Sequence, residues 1–344
     1  MELALYAPGL GYYVAGATKL GAEGDFVTAP EISPLFGATL ARQLAGVLDQ
    51  SGGDVLELGA GSGAMAAEVL RELQDMERLP RRYLILEPSP QLAQRQRDTL
   101  QKRHSALMDR VQWIGALPQD FTGAIIANEV LDALPVHLVA WRNNGVFERG
   151  VGWKHGFVWS ERMLPPGILR SAAEAIDAKA DYVSEISLMA PALVRSLSAA
   201  LRKGAVLLID YGFGRREYYH PQRATGTLMC HYRHRAHDDT FFLPGLQDVT
   251  AHVDFTAIAE TGIDSGMKLL GYTTQAQFLI NCGITGLLEQ HSTDPATTRF
   301  ALTAGVQKLL SPAEMGELFK VIALGRGIDG PLIGFASGDK SRLL

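Results

Sequence analysis

Residues 57 to 63 read Glu-Leu-Gly-Ala-Gly-Ser-Gly. They stand where a short apolar run, Val55 to Leu58, gives way to apolar residues at helical spacing, Met65, Val69, Leu70 and Leu73. A strand that turns into a helix over alternating glycines lets a ligand approach the backbone closely, and the helix start presents N–H groups with no partner inside the helix. Gly59, Gly61 and Ala64 also satisfy the G-x-G-x-x-G/A pattern of dinucleotide folds, so glycine count alone leaves the ligand open. Two details favour S-adenosylmethionine over a nicotinamide dinucleotide. The acid Glu57 precedes the first glycine, and the third glycine, Gly63, comes two positions after the second. Ala60 and Ser62 complete the loop and are candidates for cofactor contact with it.

The sequence around the loop alternates short apolar runs with helical patterns. Tyr83 to Leu86, Val111 to Ile114, Ala124 to Ala127 and Val206 to Ile209 read as strands, with Gln91 to Arg103 and Ala190 to Leu201 as helices between them. Strands apolar on both faces imply a buried parallel sheet. Thr28 and Glu31 have capping-box spacing ahead of Leu35, Phe36, Leu40, Leu44 and Leu48, which predicts a helical cap at the N-terminal side. Asn143 and Gly145 predict an inserted hairpin. The stretch 212–248 has weak periodicity and reads as a long loop, and Pro312 to Leu324, with Ser311 as N-cap, reads as a helix.

Polar residues cluster where strands end. Glu87, followed by Pro88, closes the second strand 28 positions after Gly59 (87 minus 59), where a carboxylate can accept from both hydroxyls of a ribose. Asn128, Glu129 and Asp132 follow the strand Ala124 to Ala127; if that segment turns helically, the two acids share a face and can hold a cation. Asp210 and Tyr211 end another strand, where they either line the substrate side or mark a simple strand-to-turn exit. His231, His234 and His237 recur evenly, but in a stretch without periodicity, and no metal site is assigned to them. No G-x-x-x-x-G-K-[ST] run occurs, which argues against a Walker-type nucleotide triphosphatase.

Thirty-two basic against 37 acidic residues leave a net charge of −5, so no global positive field exists to bind nucleic acid. With two cysteines and no 18-residue uncharged apolar run, the expectation is a cytoplasmic protein without membrane insertion.

Several longer segments make the chain similar to the MidA-like methyltransferases. These are Gly11-Tyr-Tyr13, the run from Gly24 to Glu31 (GDFVTAPE), the run from Ala127 to Val136 (ANEVLDALPV), Ile209-Asp-Tyr-Gly212, and the run from Asp248 to Phe255 (DVTAHVDF). Ala38 departs from the family, which commonly carries an acid after Phe-Gly. The resemblance implies a class I S-adenosylmethionine-dependent fold: an α/β, Rossmann-like, mixed seven-stranded sheet with an N-terminal cap and inserted segments. It implies a cap over 1–50 and a core over 51–344, with insertions near 142–185 and 212–265 and a helical segment near 276–328. It further implies Glu57, Gly59, Gly61 and Gly63 around the methionine moiety, Glu87 on the ribose and Trp113 or Ile114 near the adenine. Asn128 and Glu129 would border the methyl group, with Thr28, Asp25 and His252 facing the cleft. The implied activity is methylation of an arginine in a partner protein such as a respiratory complex I subunit, with S-adenosylhomocysteine as product and a homodimer as an option. The alternatives are a scaffold that binds the cofactor without transfer, and a methyltransferase of small molecules.

Overall fold

The computed structural model describes residues 1–14 and 27–344. Its strands, in chain order, are β1 (Asp54–Leu58), β2 (Tyr83–Leu86), β3 (Val111–Ile114), β4 (Phe121–Asn128), β5 (His137–Arg142), β6 (Gly145–Trp153), β7 (Phe157–Met163) and β8 (Tyr182–Ile186). They continue as β9 (Leu201–Phe213), β10 (Met229–Tyr232), β11 (Arg235–His237), β12 (Asp248–Thr250), β13 (Val253–Asp254), β14 (Lys268–Thr274) and β15 (Phe319–Arg326). The main sheet runs β14-β15-β9-β4-β1-β2-β3, with the two-residue β13 beside the end of β9 as an eighth strand. From β3 to β9 the strands are parallel, whereas β15 is antiparallel to both β9 and β14. The mixed sheet expected from the sequence is therefore present.

Alternate residues of the central strands feed two different cores. Val55, Ala124, Ile126 and Leu207 point to one that contains Leu40, Leu44 and Leu70; Leu56, Ile125, Val206 and Leu208 point to another with Val194, Leu197 and Ile258. Burial on both faces is why these strands are apolar over most of their length. The helices Pro34–Ser51 and Ala64–Asp75 supply the first core, and Met189–Ala200 and Phe255–Asp264 the second. From Pro34 onward the segment read as a helical cap packs into the first core.

Three expectations are corrected. Thr28 starts only a four-residue helix, Ala29–Ile32, without a side-chain cap bond. The long helix begins after Ser33, whose Oγ accepts from Leu35 N, because Pro34 disfavours helical geometry in the residue before it. Pro312 to Leu324 is not a helix: the helix Ala296–Leu310 ends before it, residues 312–318 form turns, and Phe319 onward is β15, between β14 and β9 in the sheet. The stretch 212–248 is not one loop. It holds a helical turn, Arg215–Tyr218, and the strands of a second sheet ordered β11-β10-β12. Arg233 and His234 form its hairpin turn with φ of 48° and 60°, positions usually taken by Asn or Gly, so the turn left no mark in the sequence. The hairpin predicted at Asn143 is found, joining β5 to β6 in a third sheet, β7-β6-β5-β8. Among the described residues no helix is long and apolar enough to cross a membrane.

Candidate active site

A cavity of about 710 Å³ opens at the carboxyl ends of β1, β2, β4 and β9, where ligand sites form in open α/β sheets. Its first half is built by the glycine loop. Gly59, with φ of +64°, brings the backbone to the cavity wall, and a Cβ added there would stand 3.2 Å from Val130 Cγ2. Ala60, Gly61 and Ser62 line the cavity beside it. Gly63 does not belong to the lining. It caps the helix Ala64–Asp75 at φ of +82°, with a Cβ position 3.1 Å from Gln96 Cα, so its role is close packing.

Glu57 is fully buried at the end of β1. Its Oε2 accepts from the Tyr83 hydroxyl at 2.5 Å, and its Oε1 has no partner among the described residues. Burial pushes its carboxyl up to about 7 against the lowering effect of the Tyr83 bond, and Glu87 adds to the rise. Glu87 is also raised by burial, opposed by hydrogen bonds from Ser89 N at 2.9 Å and Gln96 Nε2 at 2.9 Å. Gln96 in addition donates to Gly61 O at 3.1 Å and accepts from Trp113 Nε1 at 2.9 Å. One glutamine thus ties the glycine loop to Glu87. Pro88 lines the cavity, whereas Trp113 and Ile114 do not; Trp113 supports Gln96 and carries the Arg97 guanidinium over its ring. Trp113 thus reaches the glycine loop through Gln96, with β3 at the edge of the sheet.

The second half comes from residues far apart in sequence. Asn128 ends β4, and Glu129 follows in a left-handed conformation, φ 53°, which is uncommon for a residue with a side chain. The segment 129–134 is a turn and not the helical turn that the spacing of Glu129 and Asp132 suggested. Asp210 explains it. This fully buried carboxylate accepts from Leu131 N at 2.9 Å and Asp132 N at 3.2 Å with one oxygen and from Tyr211 N at 2.9 Å with the other. Asp210 holds the turn through these bonds and is absent from the cavity wall.

Both acids of the turn still reach the cavity. Glu129 Oε1 accepts from Asn128 Nδ2 at 2.9 Å and Ala29 N at 3.3 Å, and burial, reinforced by the Asp132 charge, pushes its carboxyl up to about 8. Asp132 accepts from the Tyr211 hydroxyl at 2.5 Å through Oδ2. Burial raises Asp132 and Asp210 as a pair. Asp132 Oδ1 and Asn128 Oδ1 are buried without a partner among the described residues. His252 lines the same half, stacked on Phe213 at 5.3 Å and edge-on to Tyr211 at 5.0 Å. Burial holds it neutral, down to about 4, and the charges of Arg223 and Lys320 act in the same direction. Thr28 borders the cavity; Asp25 lies outside the described residues. Among the described residues no group of three or more His, Cys, Asp or Glu is placed to hold a metal ion.

Sequence reasoning missed Tyr83, Gln96, Tyr6 and Asp248. Tyr83 looked like one more apolar strand residue, and Gln96 is one polar side chain among many on its helix. Tyr6 and Asp248 reach the site only through tertiary packing.

Residues 39–273 match the model of a family described as "Putative S-adenosyl-L-methionine-dependent methyltransferase". The chain is 31% identical over 360 residues to the mitochondrial protein arginine methyltransferase NDUFAF7 of Danio rerio, covering 94% of this chain and 82% of the relative. It is 30% identical over 365 residues to NDUFAF7 of Homo sapiens, covering 94% and 78%. A crystal structure of a Burkholderia thailandensis protein bound to S-adenosyl-homocysteine is 51% identical and superposes with a TM-score of 0.96, covering 100% of this chain and 90% of that one.

Proposed function

The chain belongs to the MidA-like family of S-adenosylmethionine-dependent methyltransferases, and from that premise we propose that its methyl acceptor is an arginine side chain presented by a partner protein. The observation that carries the reading is the pair of carboxyl groups at the cavity, half-buried Glu129 and buried Asp132, with Asp132 Oδ1 and the neighbouring Asn128 Oδ1 lacking donors among the described residues. Buried acceptors left unpaired are costly, and a guanidinium brings five N–H donors together with the opposite charge. The relatives named protein arginine methyltransferase support the same acceptor.

In this reading Glu57 Oε1 receives the ammonium of the cofactor's methionine end, the loop Gly59 to Ser62 accommodates that end, and Glu87 accepts from the ribose. The acceptor remains protonated in water, with a pKa above roughly 12, so its nitrogens are weak nucleophiles. Glu129 binds one edge of the guanidinium, concentrates positive charge there and directs another nitrogen at the methyl carbon. As the N–C bond forms, the C–S bond breaks and its electron pair stays on sulfur. The methylated guanidinium then returns a proton to solvent. Asn128 steadies Glu129 and borders the methyl group.

A methyltransferase of small molecules is the second reading, favoured by the many apolar residues of the wall, among them Leu86, Leu92, Leu134, Leu193 and Met315. Incubation with methyl-labelled cofactor and cell extract, followed by mass spectrometry, separates the two. Label on a protein arginine, a complex I subunit being the first acceptor to test, supports the proposal. Label only on lysine or on a metabolite contradicts it.

A further inference from the structure

Part of the cavity wall is used by neither the methionine nor the ribose end of the cofactor. It is assembled from the turn at Asp132, from Tyr6 and Tyr13 near the N-terminal side, and from β12, which begins at Asp248. Asp248 is 2% exposed, and its Oδ1 accepts from the Tyr13 hydroxyl at 3.0 Å and from Val249 N at 3.0 Å. Tyr6 and Tyr13 stack with ring centroids 5.6 Å apart and planes 21° apart, and the Tyr6 hydroxyl donates to Ala133 O at 2.9 Å. Both hydroxyls are thus held, and the two rings form one aromatic wall. Asp132 and the β12 segment are joined through the backbone, because Ala251 N donates to Asp132 O at 3.0 Å.

Two independent features call for a cation here. Asp132 Oδ1 is buried, lines the cavity and accepts no hydrogen bond from the described residues. Asp132 and Asp248 both act electrostatically on Glu129 and on Tyr6, raising each, so the fields of the three carboxylates overlap at one place. Buried like charges repel, and a bound cation relieves that repulsion while supplying the missing donors. A planar, delocalised cation also lies well against an aromatic face, which a compact ammonium does less well.

We propose that Asp248, fixed by Tyr13, is a specificity residue of the acceptor site: together with Asp132 it binds the nitrogens of the guanidinium that do not react, while Glu129 directs the one that does. The Tyr6–Tyr13 pair borders the plane of the guanidinium. This inference rests on the arginine reading above, and its test separates the two.

Protein loaded with S-adenosylhomocysteine is titrated calorimetrically with N-acetylarginine methylamide and with its citrulline counterpart, which keeps the shape and lacks the charge. The wild-type protein is expected to prefer the arginine probe by about tenfold or more. Asp248→Asn, which keeps an oxygen for Tyr13, is expected to weaken the arginine probe by about tenfold while leaving the citrulline probe and S-adenosylhomocysteine unchanged. Tyr13→Phe leaves the charge and is expected to cause a smaller loss. An Asp248→Asn protein that binds the arginine probe as the wild type does, or that weakens both probes equally, overturns the proposal. So does loss of S-adenosylhomocysteine binding in that variant, since Asp248 would then serve the fold. If the wild-type protein itself fails to distinguish the probes, the arginine reading falls first.

Discussion

The cofactor half of the cavity takes its polar groups from the ends of two neighbouring parallel strands, β1 and β2, and from the loop that follows β1. The acceptor half gathers Asn128, Glu129, Asp132, Tyr211, Asp248 and Tyr6 from β4, β9, β12 and residues near the N-terminal side. Among the described residues each half keeps a buried carboxylate oxygen without a donor, Glu57 Oε1 in one and Asp132 Oδ1 in the other. Each therefore suits a cation, the cofactor's ammonium in the first and an acceptor guanidinium in the second. The halves differ in the density of charge. In the cofactor half Glu57 is raised by one neighbouring acid, Glu87, whereas in the acceptor half Glu129 is raised by two, Asp132 and Asp248. A universal ligand can be met by a contiguous motif, while a cationic side chain calls for an acidic pocket assembled from several segments.

If the halves are separable, damage to one should spare the other. The largest effect is expected from Gly59→Val, which places a β-branched residue at φ of +64° against Val130. S-adenosylhomocysteine binding should weaken at least about 100-fold by calorimetry, with the circular dichroism spectrum retained. Measurable binding near the wild-type level would show that the loop does not approach the ligand.

A pH series sharpens the contrast further. Glu57 is pushed up to about 7 and Glu129 to about 8, so both are protonated in the ligand-free protein at mildly acidic pH. A cationic ligand favours the ionised form. S-adenosylhomocysteine should bind about tenfold more weakly at pH 6 than at pH 8, and the arginine probe should keep gaining affinity up to about pH 9. The same shifts act on stability with a definite sign. Between the ordinary carboxylate range and pH 8 the folded protein holds protons that the unfolded chain has lost, so these two groups make the ligand-free protein less stable as pH rises, a trend that thermal melts will read. Flat binding curves for both ligands would argue that neither carboxylate meets a cation. The smallest effect is expected from Trp113→Phe. Loss of its bond to Gln96 should cost cofactor affinity no more than about threefold, whereas an adenine contact at this residue would cost much more.

The contrast between the halves also governs what the sequence reveals. The glycine loop, β1 to β4 and the middle of β9 are legible because each is a short local pattern, a mostly apolar run or a set of alternating glycines between polar or turn residues. Glu129 and Asp132 were legible as candidates, yet their three-residue spacing suggested a helix. The turn they occupy depends on Asp210, which lies 78 residues from Asp132 and bonds the backbone of Leu131 and Asp132. Val321 to Leu324 illustrates the ambiguity of a continuous apolar run, which burial on both faces of a sheet produces as readily as a buried helix does. Asp248 opens one of the segments that carry the family resemblance, but nothing local marked it as a cavity residue. Its place in the acceptor wall depends on Tyr13, 235 residues away.

Glu129→Gln tests the central claim most directly, because glutamine retains an oxygen to accept from Asn128 Nδ2 and Ala29 N while losing the charge. The measurement pairs single-turnover methyl transfer to the labelled acceptor with S-adenosylhomocysteine affinity on the same protein. Transfer is expected to fall by about 100-fold or more, with affinity changed by no more than about twofold. Undiminished transfer, or a parallel collapse of cofactor binding, would contradict the assignment of Glu129 to the acceptor half.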